Sequence, residues 1–162
     1  MATFTWKNEN IPTEMKITQV YGVIFSPDGR VLLIDDGGRF SLIGGHPEVY
    51  DGGNAETLRR EVSEEANVSI FAPAFVGYQE VDEENGKAPY AQVRMTAMID
   101  KIGESRPDPD NGKTYGRLLA PPMRAAELLG WGEIAYKQIG AALEIAKREF
   151  CFAALCEKEE YI

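Results

Sequence analysis

The spacing of apolar residues divides the chain into strands in its first two thirds, interrupted by one helix, and helices towards its end. Lys16 to Ser26 is rich in β-branched and aromatic residues and stops at the turn signal Pro27-Asp28-Gly29, after which Val31 to Asp35 reads as the returning strand of a hairpin. Asp36-Gly37-Gly38 marks a second turn, and Phe40 to Ile43 is a short apolar strand running into Gly44-Gly45, where a loop is expected to open. Two further glycines, Gly52 and Gly53, precede Asn54, predicted as the N-cap of a helix with Glu56 in its first turn. Ser69 to Val81 and Tyr90 to Ile99 read as long strands joined through Glu84-Asn85-Gly86. Arg106 to Lys113, rich in proline, aspartate, asparagine and glycine, reads as a surface loop, and Tyr115 to Leu119 as one more strand. Pro121-Pro122 heads a helix predicted to reach Leu129. Gly130-Trp131-Gly132 separates it from a longer one, Glu133 to about Phe150, with Ile134, Ile139, Leu143 and Ile145 towards the core. This order predicts an α/β (α+β) fold, a mixed β-sheet sandwiched between helices. A chain of 162 residues fits one domain, 1–162, with C-terminal helices from about 121 to 150 and a polar tail.

The internal helix carries the chemistry. On a wheel of 100° per residue with Leu58 at zero, Ala55, Val62 and Ala66 fall at roughly 60°, 40° and 80°, one narrow stripe facing the core. Glu65, Glu61 and Glu64 fall at roughly 340°, 300° and 240°, together on one shoulder of that stripe. As a solvated face this is unfavourable, because like charges three and four apart cost about 0.2–0.5 kcal/mol each and the last turns of a helix favour cations. Arg59 and Arg60 relieve only part of the repulsion. A divalent cation removes the conflict, and oxygen ligands on a rigid element suit Mg²⁺ or Mn²⁺.

Net charge narrows the partners. With 26 acidic and 17 basic side chains, a formal charge of −9, the chain opposes binding of a nucleic-acid polymer, and a small phosphorylated ligand would need cations to reverse the local field. No stretch approaches the roughly 18 apolar residues of a membrane span, and the N-terminus lacks a signal-peptide layout, so a soluble, cytoplasmic protein is expected. Cys151 and Cys156, in a helical-looking tail, suit reduced, buried thiols. Nothing identifies the oligomeric state, and a homodimer is compatible with the chain.

Arg60-Glu61-Val62-Ser63-Glu64-Glu65-Ala66-Asn67-Val68 resembles the second half of the Nudix box of MutT-like hydrolases, R-E-U-x-E-E-x-G-U with U aliphatic. Asn67 stands in the glycine's place and suits the left-handed end of a helix. The first half departs from the pattern G-x5-E-x7-R-E, which counted back from Arg60 needs glycine at His46 and glutamate at Gly52. With one residue inserted, Gly44-Gly45-His46-Pro47-Glu48 resembles the opening of the box, and Asp51 falls near the missing glutamate. In the family that glutamate helps fix the arginine and the helix.

The resemblance implies a Nudix-like fold over the whole chain and a hydrolase of the diphosphate linkage in a nucleoside diphosphate derivative, dependent on Mg²⁺ or Mn²⁺. It implies Glu61, Glu64 and Glu65 as metal ligands with the Gly45 carbonyl, Glu61 or Glu64 as proton acceptor, and Arg60 as the residue orienting Glu61. Glu104, Asp108 and Asp110 are further acids from which a base or ligand could come, and each reads equally as part of a solvated turn. Arg39 is a candidate phosphate contact and His46 a candidate ligand. Because the insertion moves whatever acid supports Arg60, turnover is expected to be lowered without being lost. The same residues allow a nucleotide-binding or regulatory module without catalysis, which turnover over a panel of nucleotides separates from an enzyme, or a structural metal or interaction domain, which tight metal binding without nucleotide affinity would mark.

Overall fold

The computed structural model describes residues 1–152 and 154–162. Its elements, in chain order, are β1 (Thr3–Lys7), β2 (Ile17–Phe25), β3 (Val31–Asp36), β4 (Arg39–Ser41), β5 (Ile43–Gly45), α1 (Asn54–Ala66), β6 (Val68–Asp82), β7 (Tyr90–Ile102), β8 (Gly116–Ala120), α2 (Pro122–Leu129), α3 (Glu133–Glu149) and β9 (Glu160–Tyr161). The strands form one sheet ordered β1-β6-β7-β2-β3-β8-β9, with β4 paired to β3 and β5 to β2. β2 and β7 run parallel and the other pairs antiparallel, so the sheet is mixed. No described helix is long and apolar enough to cross a membrane.

The period of two along β2 sorts its side chains between two cores. Val20 and Ile24 pack with Leu58, Val62 and Ala66 of α1 on one face. Val23 and Phe25 face the other way, onto Ala125 and Leu129 of α2 and Ile139, Ala142 and Ala146 of α3. The sheet is thus sandwiched between helices, and the stripe expected on α1 is the buried one. A Cβ at Gly22 would lie 2.7 Å from Leu58 Cδ1, so α1 rests on bare β2 backbone there. Gly22→Ala should therefore overpack the α1 face and cost about 1–3 kcal/mol of unfolding free energy. Chemical denaturation checks this, and an unchanged midpoint would mean that α1 shifts freely.

Several local expectations are corrected. The strand expected over Phe40 to Ile43 is two strands, β4 on β3 and β5 on β2, with Leu42 buried between them. Gly44 and Gly45 do not open a loop but pair with Tyr21 and Val20, because a Cβ at Gly44 would strike the β2 backbone and only glycine allows so close an approach. Gly53, not Asn54, holds the N-cap position of α1, with φ 148°, a conformation open to glycine and strained for other residues. On α3 the buried residues are Ala135, Gln138, Ile139, Ala142 and Ala146, the three alanines letting the helix approach the sheet, while Ile134, Leu143 and Ile145 are half-buried. Cys151 is exposed and Cys156 half-buried, both free and outside any helix, so the expectation of buried thiols in a helix fails. β1 and β9 carry too little apolar pattern to be read from sequence. β9 returns the polar tail to the sheet, where the Ile162 amide donates to the Arg117 carbonyl at 3.0 Å.

Candidate active site

The turn from β5 into α1 brings most of the expected residues together. Gly44, Gly45, Glu61, Glu64, Glu65 and Asp108 line one cleft of about 290 Å³. α1 supplies three of the acids because residues three and four apart share a helix face. Asn67 ends that helix in the left-handed conformation, φ 49° and ψ 48°, with its amide donating to the Ser63 carbonyl, as its position in the sequence implied. A Cβ at Gly45 would run into the Glu61 carboxylate, so this glycine lets Glu61 lie against β5.

Arg60 is the hub of the cleft. Its Nη1 donates to Glu61 Oε1 at 2.8 Å and to Glu64 Oε2 at 3.3 Å, and its Nη2 donates to the His46 carbonyl at 2.9 Å. On its other side Nε and Nη2 both reach Asp51, at 3.0 Å each. Asp51 Oδ2 also accepts from the Glu48 amide at 2.9 Å and from Thr57 Oγ1 at 2.8 Å. This one carboxylate ties the loop before the helix, the first turn of the helix and the arginine together, and it is only 6 % exposed. The sequence placed Asp51 near the missing glutamate, and Asp51 is the acid that holds Arg60: a shorter side chain on a loop one residue longer reaches the guanidinium.

The electrostatics follow from that geometry. The Arg60 hydrogen bonds hold the Asp51 carboxyl well below the ordinary carboxylate range, and Asp51 in turn raises the Arg60 pKa. Asp51 thus contributes stability in full above its ordinary value of 3.8 and loses it as pH falls through the lower folded value. An Asp51→Asn variant should accordingly show a smaller stability loss than the natural protein below pH 3.8, measured by acid titration of the unfolding free energy. Burial raises the Glu61 pKa against the pull of Arg60. Glu65 is pushed up to about 8, first by burial and then by Glu61, Asp108 and Glu64, with only a long 3.4 Å bond from the Gly44 amide opposing them.

The downstream acids divide. Asp108 is only 4 % exposed and lines the cleft, as does Asp110, whose amide donates to Asp108 Oδ1 at 2.8 Å. Glu104 contributes only its carbonyl, to the Asn67 side chain at 2.9 Å. His46 lines the cleft with Nδ1 2.9 Å from the Thr18 carbonyl. Arg39 lies exposed on β4 and does not line the cleft, so the structure does not bring it to the acids. Tyr50, missed in the sequence, also lines the cleft, its ring centroid 5.9 Å from the Arg60 guanidinium carbon; its only signal was its place in the altered loop.

Six acids and one arginine line the cleft, a surplus of negative charge. Among the described residues no three potential ligands already converge as a cage, since Arg60 draws Glu61 and Glu64 to itself. The donor set nevertheless fits a hard divalent cation that keeps several waters: carboxylates on one rigid helix, beside the backbone of β5. The site is thus a strand-to-helix turn that crowds glutamates against an arginine on a mixed sheet between helices. The NUDIX domain family model matches residues 15–136, and the chain belongs to the Nudix hydrolase family, enzymes acting on phosphoanhydride bonds of small nucleotide-derived substrates, generally with divalent metal ions. Among solved structures it is similar to a pyrophosphohydrolase of Bacillus subtilis, with a TM-score of 0.66 and 17% identity over 93% of this chain and 94% of that one. It is also similar to a MutT protein of Bacillus halodurans, with a TM-score of 0.58 and 17% identity over 78% of this chain and 81% of that one. A Nudix hydrolase of Nitrosomonas europaea gives a TM-score of 0.54 and 18% identity over 78% and 87%. These are likenesses of fold. Comparison with curated protein sequences gives no match.

Proposed function

We propose that the chain hydrolyses a diphosphate linkage in a nucleoside diphosphate derivative, using Mg²⁺ or Mn²⁺ held by Glu61, Glu64 and Glu65 with the Gly45 carbonyl. The observation that carries this reading is Glu65, a carboxyl half-buried among other acids whose ionisation a cation would restore. Bound there, the metal supplies neutralisation of the diphosphate and a more acidic bound water. Arg60, clamped by Asp51, positions Glu61 and Glu64. Glu64, 27 % exposed and the more open of these two, is placed to accept the proton of the attacking water. Asp108 adds a buried negative charge opposite the helix, which strengthens the cleft's preference for a cation.

Calorimetric titration with Mg²⁺ and Mn²⁺ tests the metal site. Glu64→Gln and Glu65→Gln together should lower divalent affinity by at least about tenfold. Unchanged affinity would mean that the helix is not the site. Metal binding with no turnover of any nucleoside diphosphate derivative would leave a binding module in place of an enzyme.

A further inference from the structure

A second cleft, of about 580 Å³, opens on the α3 side of the sheet, bounded by Tyr21, Leu42 and Trp131 and by the polar side chains of Gln19, Gln92 and Arg94. Arg94 is only 3 % exposed. Its Nε donates to Gln138 Oε1 at 2.7 Å, and Nη1 donates to the carbonyls of Gln92 and Val93 at 3.3 and 3.4 Å. Its guanidinium carbon lies 5.1 Å from the Tyr21 ring centroid and 5.6 Å from that of Trp131. Among the described residues no carboxylate pairs with it, and Nη2 has no hydrogen-bond partner. Every fully buried side-chain nitrogen or oxygen of the described residues does have a partner, so Nη2 must reach the space of the cleft. Burial lowers the Arg94 pKa only to about 10, leaving the group charged at neutral pH. A nearly buried cation with open N–H donors and no counter-ion wants an acceptor.

The other groups in the cleft decide which acceptor. Its remaining polar side chains are neutral, and its apolar walls would strip water from a phosphate while one terminal nitrogen offered too few donors to replace that water. A flat ring with a carbonyl on its edge suits the aromatic wall and the single donor group. The cleft and the carboxylate site draw on the same short stretch of chain. Leu42 lines this cleft while Gly44 and Gly45, two and three residues further along the chain, line the other cleft. Tyr21, which lines this cleft, is paired across β2 and β5 with Gly44, which lines the other.

We infer that this cleft holds the base of the nucleotide substrate, and that Arg94 selects bases presenting a carbonyl oxygen, such as hypoxanthine, guanine or uracil, over the corresponding amino bases. The inference rests on the nucleotide reading of the carboxylate site. An exocyclic amine in place of the carbonyl would set donor against donor and leave Nη2 unpaired, a mismatch that discriminates far better than a missing methylene does. Arg94 is then a specificity-determining residue that touches substrate.

The test needs neither metal nor hydrolysis. Inosine and adenosine, which differ at the carbonyl, are titrated in the presence of a chelator while the Trp131 indole signal is followed by NMR. Inosine should bind with a Kd at least about tenfold lower, and Arg94→Met should bring the ratio close to one. Equal binding, no perturbation of Trp131 by either nucleoside, or full discrimination in a folded Arg94→Met protein would overturn the inference. Displacement of inosine by pyrophosphate would overturn it too, marking an anion subsite. If Arg94→Met does not fold, guanosine against 2,6-diaminopurine riboside repeats the carbonyl-to-amine change on the ligand alone and decides by the same ratio. Turnover is assayed separately. Hydrolysis with no base preference sinks this inference and spares the hydrolase reading, whereas base-selective binding without turnover does the reverse.

Discussion

Replacing Glu64 with glutamine should lower turnover by on the order of 10²–10⁴-fold while the unfolding midpoint stays near that of the natural protein. The size follows from the loss of a positioned proton acceptor, which an amide of the same shape cannot replace. The unchanged fold follows from placement. Glu64 is 27 % exposed, and it accepts from Nη1 of Arg60, which also has Glu61 and so keeps an acceptor when Glu64 is lost. The substitution also removes one like charge from the last turns of α1, a small gain that offsets the lost ion pair. Steady-state kinetics with excess Mg²⁺ separates the effect from weakened metal binding. If kcat recovers fully as the metal concentration rises, Glu64 is a ligand alone and the proton acceptor lies elsewhere, with Asp108 the next group to test. A variant as active as the natural protein would remove Glu64 from the mechanism.

The second large effect is expected at Asp51, which does not line the cleft. Asp51→Ala should weaken Mg²⁺ binding by ten- to hundredfold, the range expected when a group that orients metal ligands is lost. The reason lies in the competition for Arg60. In the natural protein two of its nitrogens are held by Asp51, and only Nη1 is left for Glu61 and Glu64. Released from Asp51, the guanidinium is free to collapse onto those two carboxylates and neutralise the charge that a cation needs. The Glu48 amide and the Thr57 hydroxyl lose an acceptor at the same time. Stability should fall by about 2 kcal/mol for the charged hydrogen bonds near the surface, a Tm lower by roughly 4–8 °C. Asp51→Asn, which keeps the shape and some of the hydrogen bonds, should fall between the two. If Asp51→Ala binds Mg²⁺ as tightly as the natural protein, Arg60 does not compete with the metal and the hub reading is wrong.

The same loop shows where reading the sequence reached its limit. Counting residues back from Arg60 finds neither the glycine nor the glutamate of the usual pattern, and allowing one inserted residue places Asp51 near the glutamate's position without showing that it reaches the arginine. Whether an acid still reaches the arginine depends on the path of residues 46 to 53, and that path is set by Asp51 itself, bonded to Glu48, Thr57 and Arg60 at once. The closure is cooperative and involves partners up to nine residues apart, so no local preference encodes it. Splitting Phe40 to Ile43 into two strands was hidden for a related reason. One apolar run can pair with β3 and then with β2 only because both partners are already side by side in the sheet.

By itself the sequence determined the periodic features: the strands with β-branched runs and turn residues between them, the apolar stripe of α1, and the gathering of Glu61, Glu64 and Glu65 on its shoulder. These follow from repeats of 2.0 and 3.6 residues, which are local geometry and need no knowledge of the rest of the chain. The left-handed end of α1 at Asn67 belongs with them, since it follows from the residue's own conformational preference. Tertiary structure alone decided that Asp108 faces those glutamates from a loop more than forty residues on, that Asp51 holds Arg60, and that Arg39 stands apart. It alone placed Arg94 against Tyr21, Trp131 and Gln138 with one nitrogen left open. Each of these is a meeting of side chains from distant segments, and burial in a shared core, not any pattern along the chain, brings them into contact.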